Sequence, residues 1–147
     1  MCGGITGCKN WQQDFRQLME NTKQGILLNP RRDKFDVNDP SAAREQITWE
    51  FNALWNNADA YIFWFTNDTI QPIVLFELGA CLAGAKISRQ AKVRIPIFIG
   101  IEPGYTRGED VRIQTELFAP EIPIVDKLED LADLLKGYLK GWEHAGK

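Results

Sequence analysis

AYIFWFTNDTIQPIVLFELGACLAGA, residues 60 to 85, carries the pattern on which the fold turns. Its first six residues, Ala60 to Phe65, form an unbroken apolar run rich in aromatic side chains, as expected of a central strand covered on both faces. The polar turn TNDTIQP follows, and Ile73 to Ala85 is apolar again at a length that suits a helix better than a strand. Strand, turn and helix in that order make half of a β-α-β unit, so the same alternation is expected on either side.

Upstream, residues 1 to 3 end a short strand, and Asn10 to Asn21 is amphipathic, with Trp11, Phe15, Leu18 and Met19 on one side. Gly25 to Leu28 (GILL) is expected to be a second strand, and Asn29 to Asp39 a polar loop. Asp39 is placed to cap a helix with Pro40 at its first position, and Ile47, Phe51, Leu54 and Ala58 recur at helical spacing as its buried stripe. Downstream, Val93 to Ile101 suits another buried strand interrupted by Pro96. Ile122 to Val125 makes a last strand before a helix from Leu128 to about Trp142. The expectation is a single domain over residues 1–147: an α/β, doubly wound, flavodoxin-like parallel sheet of about five strands and five helices, with helices on both faces. In such a sheet the ligand sits beyond the carboxyl ends of the strands, where GGITGCKN, NPRRDKFD, TNDTIQP and IEPGYTRGED gather.

Composition narrows the chemistry. The chain of 147 residues is 44% hydrophobic, enough for a full core, and its 17 basic against 20 acidic residues leave a net charge of −3. That balance offers no basic face for a nucleic-acid backbone. Cys2, Cys8 and Cys81 fit neither a disulfide framework nor a zinc site, so a reducing compartment is expected. No apolar run is long enough to span a bilayer and MCGGITG is unlike a secretory leader, which points to a soluble, cytoplasmic protein with no membrane partner. No histidine or cysteine pair has metal-ligand spacing, the lone His144 lies three residues from the end, and GxGxxG is absent. Neither a metal nor a cofactor is expected, and carboxylate chemistry remains.

Glu77 is the only charged residue between Ile73 and Ala85. A carboxylate among apolar neighbours is costly unless it is hydrogen-bonded or its pKa rises, and the first turns of a helix partly offset that cost. Such a group at the mouth of a cleft is a good nucleophile for an electrophilic sugar carbon; the alternative is a glutamate on the helix's one solvent-facing edge. Glu50, on a flank of its helix, either binds a departing base or orders the nucleophile, or is simply solvated. In GGITGCKN the GxxxxGK[ST] spacing fails, so Gly4, Ile5 and Thr6 let backbone approach a planar base or a sugar, or else form a tight turn. Arg31 and Arg32 in NPRRD clamp a base or phosphate, or are solvated surface.

NPRRDKFD, QITWEFNALWNNADAYIFWF and TIQPIVLFELGACLAGAK, with GGITGCKNWQ in the first loop, resemble the nucleoside 2-deoxyribosyltransferase family, most closely its branch of short deoxyribosyltransferase-like proteins. The resemblance covers the first two thirds of the chain, and ELG after the apolar run is its most specific part. It implies that Glu77 attacks C1′ to form a covalent deoxyribosyl-enzyme, with retention after a second displacement. It also implies a flavodoxin-like fold, no cofactor, and a homo-oligomer, a dimer or larger, in which a neighbouring subunit helps close each site. Many members carry an aspartate at the position of Phe51, and its role passes here to Glu50. Where relatives place an aspartate or serine facing the sugar's 5′ end, this chain has Gln71. Asn29, Arg31 and Asp33 are expected at the base edge, with Phe65 a further substrate-binding candidate.

Three functions follow from these residues. The first is a transferase that moves deoxyribose from a deoxynucleoside to another free base. The second is a hydrolase of deoxynucleoside 5′-monophosphates, and the third a non-catalytic nucleotide-binding module of the same fold.

Overall fold

The computed structural model describes residues 1–32, 40–91 and 95–145. Four strands, β1 (Cys2–Gly3), β2 (Tyr61–Phe65), β3 (Ile97–Ile101) and β4 (Ile124–Val125), form one sheet in the order β1-β2-β3-β4. All pairings are parallel, with Cys2 opposite Phe63, Tyr61 opposite Ile97 and Ile99 opposite Ile124. The helices are α1 (Trp11–Leu18), α2 (Pro40–Trp55), α3 (Pro72–Ala91), α4 (Gly108–Phe118) and α5 (Leu128–Ala145).

The alternation of side chains along each strand divides the core. Cys2, Phe63, Phe65, Ile99 and Ile101 pack with Leu54 of α2, Leu78 and Leu82 of α3, and Val111 of α4. Ile62, Trp64 and Phe98 face the other way, against Trp11 and Phe15 of α1 and Leu131 and Leu135 of α5. Both faces are covered, which is why β2 and β3 are buried at every position. Gly100 is required by the second core: a Cβ there would lie 2.5 Å from Cζ3 of the Trp64 indole. The doubly wound α/β architecture expected from the sequence is therefore present, with four strands among the described residues where about five were expected.

The missing strand is GILL. Residues 25–28 form no ladder, Ile26 is 90% exposed, and Gly25 has φ of +84°. β1 is only two residues long and offers little edge to pair with. The segment still runs along that edge, since the amino group of Met1 donates to Leu28 O at 3.0 Å. β3 begins at Ile97, four residues later than expected, because Pro96 has no N–H for a ladder; its carbonyl instead accepts from Tyr61 N at 2.9 Å. α4 begins inside the stretch expected as the loop IEPGYTRGED.

α2 begins at Pro40, as expected, while the capping role given to Asp39 lies outside the described residues. Its stripe is rotated. Leu54 is buried and Ala58, just past the helix end, packs on the core, but Ile47 and Phe51 are 65% and 57% exposed. The inward face carries Gln46, Glu50, Ala53 and Leu54 instead, so the helix presents polar groups to a cavity.

Candidate active site

A cavity of about 1100 Å³ opens along the free edge of β1, with walls drawn from both faces of the sheet. It is large enough for a nucleoside with room to spare, ligand cavities commonly measuring about 300–1,000 Å³. One lobe lies over the α2 and α3 side, between Gly4–Thr6, Glu50, Thr69–Val74 and Glu77, with the half-exposed indole of Trp49 at its wall. The other lobe is apolar and reaches Met19, Leu27, Leu135 and Leu139. The carboxylates of Glu50 and Glu77 lie in the first, while Arg16 and Tyr138 border the second.

α3 carries Glu77 into that lobe from its second turn. Burial, and next to it the charge of Glu50, push the Glu77 carboxyl up from an ordinary value of 4.5 to about 7; the chain's amino group and a hydrogen bond from the Cys2 thiol pull it back. Beyond the first turn the helix field has faded, so the helix N-terminus contributes less than the sequence suggested. The Cys2 thiol is pushed up to about 12, chiefly by its own burial, so it stays protonated and donates to Glu77. Nothing in the sequence pattern marked Cys2; it reaches Glu77 because α3 packs over β1. Glu50 is oriented by Gln46, whose Nε2 donates to its Oε1 at 2.6 Å and to Pro30 O at 2.9 Å.

Gly4, Ile5 and Thr6 line the cavity. The loop they belong to is held from behind by Arg31. One terminal guanidinium nitrogen lies 3.1 to 3.4 Å from the carbonyl oxygens of Gly4, Ile5, Cys8 and Lys9, and Nε donates to Gln12 Oε1 at 3.0 Å. Gln12, fully buried, donates in turn to Gly4 O at 3.2 Å. Arg31 thus fastens the loop and does not line the cavity, contrary to its expected place at a base edge. Asn29 does not line the cavity either, its Oδ1 accepting from Arg31 N at 3.1 Å in a local turn. Asp33 lies outside the described residues.

Phe65 is likewise displaced from its expected role: it is completely buried in the core against Tyr105, with ring centroids 5.1 Å apart. Gln71 does line the cavity, but its amide is engaged within the protein, with Oε1 accepting from Gly4 N at 2.9 Å and Nε2 donating to Thr66 O at 2.8 Å. On the far side of the loop Glu102 accepts from Asn67 N at 2.9 Å and from Lys9 Nζ. The loops after β1, β2 and β3 are thereby tied together.

A parallel α/β sheet with a raised carboxylate beside the loop after its first strand defines a small-molecule site of the doubly wound class. Residues 1–90 match the family described as nucleoside 2-deoxyribosyltransferase like, and the chain belongs to that family. A search of curated proteins returned no match. Among the described residues no group of three or more His, Cys, Asp or Glu side chains is arranged to hold a metal ion, and no helix is long and apolar enough to cross a membrane.

Proposed function

We propose that the protein is an N-deoxyribosyltransferase that takes the sugar of a 2′-deoxynucleoside through a covalent intermediate on Glu77. The observation that carries this reading is the Glu77 carboxyl itself: half-buried on the wall of the cavity, raised to about 7, and accompanied by Glu50 and Cys2. In the reaction a carboxylate oxygen of Glu77 bonds to C1′ as the N-glycosidic bond breaks, and the bonding pair leaves on the base nitrogen. The departing base takes up a proton from water, and Glu50, on the same cavity wall, binds that base or orders the nucleophile. A second base then attacks C1′ by its ring nitrogen and gives up its N–H proton to water, the ester oxygen leaves as the Glu77 carboxylate, and configuration is retained. No cofactor enters these steps.

A nucleophile with a pKa near 7 is a stronger base than an ordinary carboxylate and still ionised in good part at neutral pH. Burial supplies this, and the Cys2 thiol keeps the ionised form accessible. The decisive experiment incubates the protein with a 2′-deoxynucleoside and a different free base and separates the products. A new nucleoside supports transfer. Free base alone, from a nucleoside or its 5′-monophosphate, replaces it with hydrolysis, and no reaction across substrates leaves a nucleotide-binding module.

The site reads as completed by a second copy of the chain. Ile70 and Ile73 line the cavity while more than half exposed, and Ile47, Phe51 and Phe76 lie exposed on α2 and α3. Apolar surface at a cavity mouth suits a symmetric dimer or larger assembly that excludes water from the bound sugar. The free thiols of Cys2, Cys8 and Cys81 suit a reducing, cytoplasmic setting.

A further inference from the structure

Resting on the reading above, we propose that Gln71 is a positioning residue that fixes the Gly4–Thr6 wall of the cleft relative to the Glu77 helix, and not a contact for the sugar. Gln71 is the only described non-glycine residue with positive φ, +54°, a conformation that a glutamine adopts only when its surroundings hold it there. It is 6% exposed and its amide is occupied. Oε1 accepts from Gly4 N at 2.9 Å, while Nε2 donates to Thr66 O at 2.8 Å and to Thr66 Oγ1 at 2.9 Å. Both amide protons therefore have acceptors, and a ligand hydroxyl could accept from this amide only by displacing one of them.

The backbone of the same residue starts the catalytic helix: Gln71 immediately precedes Pro72, and its carbonyl accepts from Leu75 N at 3.2 Å. One residue thus joins the end of β1, the end of β2 and the beginning of α3. Gly4 is shaped to receive it. A Cβ at Gly4 would come within 2.9 Å of Gln71 Cδ and closer still to Cys8 Sγ, and the carbonyl of Gly4 is held from the other side by Gln12 at 3.2 Å. With both backbone groups of Gly4 held by side chains, the loop wall has one height above Glu77. Pre-organisation of this kind accelerates a displacement at carbon, because attacking oxygen and sugar carbon must meet within a few tenths of an ångström.

The test is Gln71→Asn, which keeps an amide and tolerates positive φ but is one methylene too short to span Thr66 and Gly4. Hydrogen exchange of the Gly4 amide should accelerate about tenfold or more, with β2 and β3 amides unchanged. The kcat for base exchange should fall about tenfold or more, by the same factor for a 2′-deoxynucleoside and for its 5′-deoxy analogue. Unchanged Gly4 exchange would overturn the proposal, as would a loss confined to the substrate bearing the 5′-hydroxyl, which would make Gln71 a direct contact. A lower melting temperature with kcat intact below it would mark a purely structural residue and overturn it too. If the wild type performs no reaction, the proposed activity fails, while Gly4 exchange and calorimetric affinity for a 2′-deoxynucleoside still decide the role of Gln71. Should Gln71→Asn not fold, Thr66→Val removes one amide anchor and is judged by the same readouts.

Discussion

Glu77 is held at a cost that can be measured. The folded carboxyl titrates near 7 instead of 4.5, so at low pH it is neutral in both folded and unfolded chains and costs nothing. As pH rises the unfolded chain ionises first, and folding is progressively disfavoured until pH passes about 7, beyond which the penalty is constant. A shift of this size corresponds to an upper limit on the order of 3 kcal/mol, reduced because solvent reaches part of the group. Glu77→Gln should therefore be more stable than wild type at pH 8 and no more stable at pH 4, as urea midpoints at the two pH values will show. The same substitution should lower base exchange at least a thousandfold, since the attacking oxygen loses its charge; retention of a tenth of the activity, a barrier change of only about 1.4 kcal/mol, would remove Glu77 from the mechanism. In the wild type, activity should rise with pH through about 7. Cys2→Ala, which deletes the thiol donor, should move that limb to higher pH, and Glu50→Gln, which deletes the neighbouring charge, to lower pH.

At the scale of elements, the loop after β1 depends on a group far from it in sequence. Arg31→Ala leaves the carbonyls of Gly4, Ile5, Cys8 and Lys9 without their shared donor, and Lys at that position has neither the planar fork nor the reach to Gln12. Both variants should raise KM and speed proteolysis within residues 4–10, and added guanidinium should partly restore Arg31→Ala alone. The sequence singled out Glu77, because a lone charge in an apolar helix is visible in composition. It could not show that Arg31 would turn inward, because an arginine in a polar loop has the same local signal whether it meets solvent, ligand or backbone. GILL failed as a strand for a similar reason: its composition suits a ladder, but ladder formation depends on the partner edge, and β1 supplies two residues. The stripe on α2 had the right period but the wrong phase, since the cavity claims the Glu50 and Ala53 side. β2, buried at all five positions, was legible because its apolar run leaves no polar face to misplace.

For the whole molecule, the exposed apolar residues of α2 and α3 predict self-association. Light scattering at micromolar concentration should give at least twice the 16.8 kDa chain mass, and Phe51→Lys with Phe76→Lys should yield monomers with weakened substrate binding. A fully active wild-type monomer would show that these side chains serve another purpose. The placement of tryptophans adds a practical consequence. Trp11 and Trp64 are sealed in the core at 1% and 4% exposure, whereas Trp49 stands 38% exposed on the cavity wall. Intrinsic fluorescence should therefore contain a steady blue component from the interior and a solvent-sensitive red component from Trp49. A planar base entering the cleft should quench the red component or shift it to the blue, so the protein carries its own optical titrant for any candidate ligand, and Trp49→Phe should silence the signal without emptying the site.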